Sequence, residues 1–288
     1  MKTAALAMAL ILLLVQEPQQ DVTTLSVDVR MVEVYASVFD QKGQRVENLQ
    51  KENFEILEDG AKQDVQVFEP QVSGSSVALL IDTTASMMRQ LPQIKNELAD
   101  LLSKLDPDDE IGLFSFSTSL KRLSPFTKNR GNILSALSAT QAAGATALYD
   151  ALSQLSRDLS KTGGKKVIVL FTDGLDNRSL LRLDSAASNA RRIGVPVYTI
   201  AQGELLQDSA GLKRLKDIAS QTNGIAFEAH NAADMRSVFT RVEEDLQHLY
   251  LLGYYSTNAD SRTEWRRLTV RLPQHPEYKL RAREGYYR

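Results

Sequence analysis

The sequence predicts an α/β fold: a doubly wound, mainly parallel six-stranded sheet, joined to a small β-sandwich-like domain built from the two ends of the chain. Three observations carry that expectation. Short apolar runs alternate with helix-spaced leucines from residue 77 to about 247. Two of those runs, V-A-L-L-I-D at 77–82 and V-I-V-L-F-T-D at 167–173, end abruptly in an aspartate. The segments before 73 and after 247 read as strands with no helix between them.

Size and composition bound the rest. The chain has 288 residues, enough for one large domain or two modest ones. Its 43% hydrophobic content suits a globular protein with a real core. A net charge of −2 gives no overall field to draw in nucleic acid or an anionic membrane. The absence of cysteine excludes disulfides, thiolate metal sites and cysteine nucleophiles, and fits export into an oxidising space. Residues 1–20 read as a targeting segment, with Lys2 followed by an apolar run over 3–15. That run is short of the roughly 20 residues that span a membrane. No clean small-x-small cleavage site follows it, so residues 1–20 are either a signal peptide or an uncleaved anchor. The expected location is exported: periplasmic, cell-envelope or secreted.

Residues 21–72 form an N-terminal β unit, with strands at 26–32, 34–39, 54–58 and 65–68 and turns at Asp40-Gln41-Lys42-Gly43 and Asp59-Gly60. The α/β unit covers 73–247. Its strands are expected at 77–81, 111–116, 120–123, 167–171, 195–200 and 225–227, the third an edge. Leu91, Ile94, Leu98, Leu101, Leu102 and Leu105 mark a helix ending at Asp106-Pro107. Further helices are expected from near Thr146 to Leu159, over 185–193, over 212–220, and through Met235, Val238, Phe239, Val242 and Leu246. Strands return at 250–255, 265–272 and 278–283, so that 248–288 packs with 21–72 and the α/β unit is an insertion. The rival arrangement is two separate β appendages.

The chemistry gathers at strand ends. Asp82, Thr84 and Ser86 offer a carboxylate and two hydroxyls, hard donors that suit Mg²⁺. The same residue types also cap helices, so this stretch admits both readings. Thr146 follows Gly144 in a loop that opens a helix, and Asp173 precedes Gly174. With the strands ordered 3-2-1-4-5-6, strands one and four are neighbours. Asp82 and Asp173 then face the switch-point crevice where such sheets bind ligands.

These residues resemble the metal-ion-dependent adhesion site of the von Willebrand factor A (VWA) domain: D-x-S-x-S, then a Thr, then Asp-Gly. The matches are Asp82, Thr84 and Ser86, then Thr146, then Asp173, with Thr84 in place of the usual Ser. The resemblance covers about 76–247. The ends, V-Y-A-S-V-F-D-Q-K-G-Q-R-V-E-N-L with N-F-E-I-L-E-D-G, and later Y-L-L-G-Y-Y and R-A-R-E-G-Y-Y, are similar to VWFA-related proteins described from acidobacteria. The resemblance implies a site for Mg²⁺, or Mn²⁺ or Ca²⁺. Ser86 and Thr84 or Thr146 would ligate through hydroxyls, and Asp82 and Asp173 directly or through waters. It also implies a non-enzymatic adhesion or interaction protein whose partner, a protein or surface polymer, offers a carboxylate, and a last helix that shifts on ligand capture.

Other readings compete with this one. A phosphohydrolase nucleophile loop wants D-x-D, but Thr84 stands where the second acid belongs, and Asp176 reads as a turn cap. No Gly-flanked serine elbow, zinc spacing or Walker loop accompanies His230, His248 and His275. A structural module with a degenerate site is the remaining alternative. Lys121, Arg122, Lys128 and Arg130, and the eight Lys/Arg against three Glu in 261–288, read as solvated strand faces rather than a nucleic-acid surface. Contact with a membrane is expected only through an uncleaved N-terminal anchor. Met87 and Met88 read as the start of a buried helix.

Overall fold

A computed structural model describes residues 31–70, 74–160, 164–172, 176–258 and 264–287. The segment read as signal or anchor, and the strand positions 26–30, lie outside them. No helix among the described residues is long and apolar enough to cross a membrane.

The N-terminal segment supplies β1 (Met31–Phe39), β2 (Glu55–Glu58), β3 (Ala61–Gln63) and β4 (Val67–Glu69). The α/β unit follows with β5 (Ser76–Asp82), α1 (Leu91–Lys104), β6 (Glu110–Phe116), β7 (Leu120–Thr127), α2 (Arg130–Ser138) and α3 (Leu148–Leu159). It continues with β8 (Lys166–Thr172), α4 (Leu183–Arg192), β9 (Val197–Ala201), α5 (Ser209–Gln221), β10 (Ala226–Glu228) and α6 (Ala232–Gln247). The C-terminal segment adds β11 (Tyr250–Tyr255), β12 (Trp265–Arg271), β13 (Lys279–Ala282) and β14 (Gly285–Tyr287).

The central sheet runs β10-β9-β8-β5-β6-β7, parallel except for the edge strand β7. That is the strand order expected from the sequence. Alternation along β5 explains why both faces are covered. Val77, Leu79 and Ile81 pack with α1, α2 and α6, while Ala78 and Leu80 pack with α3, α4 and α5. A strand buried on both sides must be apolar throughout, which is why 77–81 contains no polar residue until Asp82.

The two ends of the chain pair with each other in two antiparallel sheets, β13-β1-β11-β4 and β14-β12-β2-β3. Val34 lies opposite Leu252, and Val270 opposite Ile56. Val34, Ala36, Ile56, Leu252, Tyr254 and Leu268 fill the space between the sheets. Asp59 (φ 49°) and Gly60 (φ 87°) make the two-residue turn between β2 and β3, where two positive φ angles match the twist of a tight hairpin.

Several elements differ from the spacing-based reading. Helix α2 is not marked by the sequence pattern, because only Ile133 and Leu137 are buried on it. Its start is set by Asn129, whose side chain accepts from the Gly131 and Asn132 amides. β7 runs on past Leu123 to Thr127, and Pro125 is tolerated because no strand among the described residues pairs with its outer edge. β3 and β14 are only three residues long, too short for alternation to reveal.

Candidate metal centre

β5 ends at Asp82, which is 0% exposed. The Thr84 amide donates to Asp82 Oδ1 at 2.9 Å, and the Thr172 hydroxyl donates to Oδ2 at 2.7 Å. Thr172 closes β8, so the carboxyl ends of the two neighbouring strands meet at this carboxylate. Thr84 Oγ1 and Ser86 Oγ lie 3.0 Å apart. The Thr83 amide and hydroxyl both donate to Phe116 O on β6, which orients the loop after β5.

The Thr146 loop lies directly against this one. The Ala143 amide donates to Thr83 O at 2.7 Å, and the Ala85 amide donates to Gly144 O at 3.2 Å. The Thr146 amide donates to Asn177 Oδ1 at 3.0 Å, while Thr146 O accepts from the Asn177 and Arg178 amides. Three loops are therefore laced into one surface, bearing buried Asp82, Thr84 and Thr146 and exposed Ser86. Asp173 lies outside the described residues; its chain neighbour Thr172 is the residue that reaches Asp82.

Sequence reasoning passes over Thr172 and Asn177. A hydroxyl residue just before a strand-end aspartate is the only local hint of the first. Asp176 is a loop cap: its carboxylate accepts from the Tyr149, Arg178 and Ser179 amides and from the Ser179 hydroxyl. Asp150 accepts from the Leu180 and Leu181 amides, so α3 and the loop after β8 hold one another.

Burial pushes the Asp82 carboxyl above the usual carboxylate range, against the pull of its Thr84 and Thr172 donors. Such a group gains most from a neighbouring positive charge. The donor set fits a small hard cation. Adjacent ligands of an octahedral ion at about 2.1 Å sit about 3 Å apart, the spacing of the Thr84 and Ser86 oxygens. No group of three His, Cys, Asp or Glu gathers among the described residues, and the described candidate donors besides Asp82 are the Thr84, Ser86 and Thr146 hydroxyls.

Two neighbouring expectations need correction. Met87 is buried, but Met88 is 63% exposed, because residues 85–88 form a 3₁₀ turn that points them apart. Among the basic residues, Lys121, Arg122 and Lys128 lie exposed as expected, whereas Arg266 does not. Lys128 pairs with Asp108, and Arg130 donates to the Asp106 and Asp109 carbonyls. Arg266 is 2% exposed and pairs with Asp59.

Comparison with known proteins agrees with this architecture. The von Willebrand factor type A domain model matches residues 76–241. A UPF0353 protein of Mycolicibacterium gilvum (strain PYR-GCK) is 25% identical over 246 residues, covering 75% of this chain and 71% of that protein. Another, from Mycobacterium sp. (strain KMS), is 26% identical over 211 residues, covering 65% of this chain and 60% of that protein. Among solved structures, a von Willebrand factor type A protein from Catenulispora acidiphila superposes with TM-score 0.53 at 16% identity, over 67% of this chain and 50% of that one. The vWF domain of the type V pili tip protein Mfa5 from Porphyromonas gingivalis gives 0.52 at 15% identity, over 60% and 96%. At these identities the structural likeness is one of fold. Since the family model spans more than half of its residues, on the sheet and loops just described, this chain belongs to the von Willebrand factor type A domain family.

Proposed function

We propose that this protein is an exported, non-catalytic interaction protein that captures an acidic group of its partner through a divalent cation held by Asp82, Thr84, Ser86, Thr146 and Asp173. The observation that carries this reading is the meeting of three loops at the carboxyl ends of β5 and β8, around a buried carboxylate and paired hydroxyls. Mg²⁺, or Mn²⁺ or Ca²⁺, would supply an exchangeable coordination position for a carboxylate. The protein's own residues do the rest. Thr84, Ser86 and Thr146 are neutral, so they leave the cation's charge available to an incoming acid. The Asp150 and Asp176 caps hold the loop after β8 in place before any partner arrives. That loop also presents the apolar side chain of Leu180, 95% exposed. The partner would be a protein or a surface polymer at the cell envelope.

Isothermal titration of the full chain with Mg²⁺ and Mn²⁺ tests the metal. Wild type should bind one ion. Ser86→Ala, at an exposed position, should weaken binding by about tenfold or more without unfolding the protein. No binding by wild type, or unaltered binding after both Ser86→Ala and Asp82→Ala, leaves a structural module in its place. Capture of a partner from envelope extracts should be lost on adding a chelator.

A further inference from the structure

A cavity of about 1220 Å³ lies between the α/β unit and the β unit. It sits at the far end of the central sheet from Asp82. Lys166, which lines it, opens β8, whereas Thr172 closes that strand some six residues on, about 20 Å away.

Strand alternation decides what faces this space. Val34, Ala36 and Val38 turn into the β core, so Glu33, Tyr35 and Ser37 of β1 line the cavity. Arg281 of β13 pairs with Ser37, and Arg283 follows two residues later on the same side. Among the described residues the lining holds eight Lys and Arg and two acids, Glu33 and Asp245, while Arg191 and Arg266 already pair with Glu284 and Asp59 outside it. Both lining acids are already engaged. Glu33 accepts from the Tyr35 hydroxyl at 2.9 Å, and Asp245 accepts from Arg45 and from the Tyr198 hydroxyl.

The two arginines are under-partnered. Arg281 Nη1 and Arg283 Nε are buried and have no hydrogen-bond partner. Arg281 stacks over the Phe39 ring at 4.6 Å, and Arg283 over Tyr286 at 5.3 Å, so one planar face of each guanidinium is covered while these edge nitrogens are enclosed without an acceptor. A charged donor left unsatisfied in a buried setting is costly. Yet the fold holds Arg283 in place. Gly194 (φ +68°) ends α4 with the Arg283 stem against it, and a Cβ there would come within 2.7 Å of Arg283 Cδ. Asn223 Nδ2 donates to Ala282 O at 2.8 Å and fixes the strand between the two arginines.

We infer that this cavity is an anion-binding site in which Arg281, Arg283 and Lys166 receive a small oxyanion, a phosphate- or carboxylate-bearing molecule. An oxyanion in the cavity offsets guanidinium charge that the enclosed Arg281 Nη1 and Arg283 Nε leave without an acceptor, and guanidinium edges match its geometry. Burial and the neighbouring Arg283 push the Lys166 ammonium toward losing its proton, and burial pushes Arg283 the same way against the pull of its tyrosine and Glu33 neighbours, so an added anion favours the charged form of both. Since Lys166 belongs to the α/β unit and the arginines to the β unit, one ligand bridges both.

Titration calorimetry of the full chain in metal-free buffer, with pyrophosphate and with citrate in separate runs, tests this. Saturable binding of either anion is expected, and the stronger one indicates whether the natural source is a phosphate or a carboxylate. Arg281→Gln and Arg283→Gln should each weaken it about tenfold or more. Lys166→Gln, at a half-buried position that folding tolerates more easily, should weaken it severalfold. Lys121→Gln on exposed β7 should leave it unchanged. The inference is overturned if neither anion binds wild type, if folded Arg281→Gln, Arg283→Gln and Lys166→Gln bind as wild type does, or if Lys121→Gln weakens binding equally.

Discussion

Glu58 shows how much one residue can carry here. It is fully buried and accepts from the hydroxyls of Tyr254 (2.6 Å), Ser256 (2.6 Å) and Tyr286 (3.0 Å), with Arg266 Nε 4.0 Å away. Removing one member of a buried charged network strands the others. Glu58→Ala should therefore destabilise the protein by about 3–5 kcal/mol, read as a lowered urea midpoint. Lys165 is a second case. Burial pushes its ammonium down to about 8, against the pull of Asp109 and Asp106. The folded form thus releases this proton before the unfolded chain does, so the unfolded state binds more protons from pH 8 upward. Stability contributed at Lys165 should rise between about pH 8 and 10, by about 3 kcal/mol in total. Denaturant unfolding at several pH values checks it: Lys165→Met should lack that rise. Neither role is legible in the sequence. Glu58 looks like an ordinary strand-end acid before a turn, and Lys165 like one of two surface lysines.

At the scale of elements, the ends of helices and strands matter more than their middles. Asn231 caps α6 by accepting from the Ala233 and Asp234 amides. Asn231→Ala should cost about 1 kcal/mol, seen as a lower thermal midpoint. The turn at Asp59-Gly60 is comparably local. Gly60→Ala forces a side chain into positive φ and should cost about 1 kcal/mol in the same assay, although nothing lies within 4 Å of the new methyl group. Elements with long periodic patterns, such as α1 and α3, are plain in the sequence because their buried leucines recur at helical spacing. α2 is hidden because two buried residues in nine make no period, and the extension of β7 is hidden because Pro125 argues against a strand until its edge position is known.

Across the whole molecule, the β unit exists only when both chain ends are present. β11 lies between β1 and β4, and β12 between β14 and β2. A chain ending at 247 loses β11 and β13 of one sheet and β12 and β14 of the other. Limited proteolysis of that truncated chain should cut readily within 31–70, whereas the full chain resists there; equal resistance would show that the N-terminal strands fold alone. The two units are also tied by Asp245 of α6, which joins Arg45 of the β unit to Tyr198 of β9. The chain's periodicity already specifies the alternating strands and helices and the strand-end position of Asp82, and the strand order follows once double winding is assumed. These follow from local rules: side-chain alternation, helical spacing and crossover topology act over a few tens of residues. Which charges become partners is settled only once the chain has closed on itself. Arg45 and Asp245 lie 200 positions apart and Arg266 and Asp59 207, and no local pattern can select among so many distant candidates. The cavity with its inward-turned Arg281 and Arg283 is decided in the same way, because it is the space left where two separately patterned units meet.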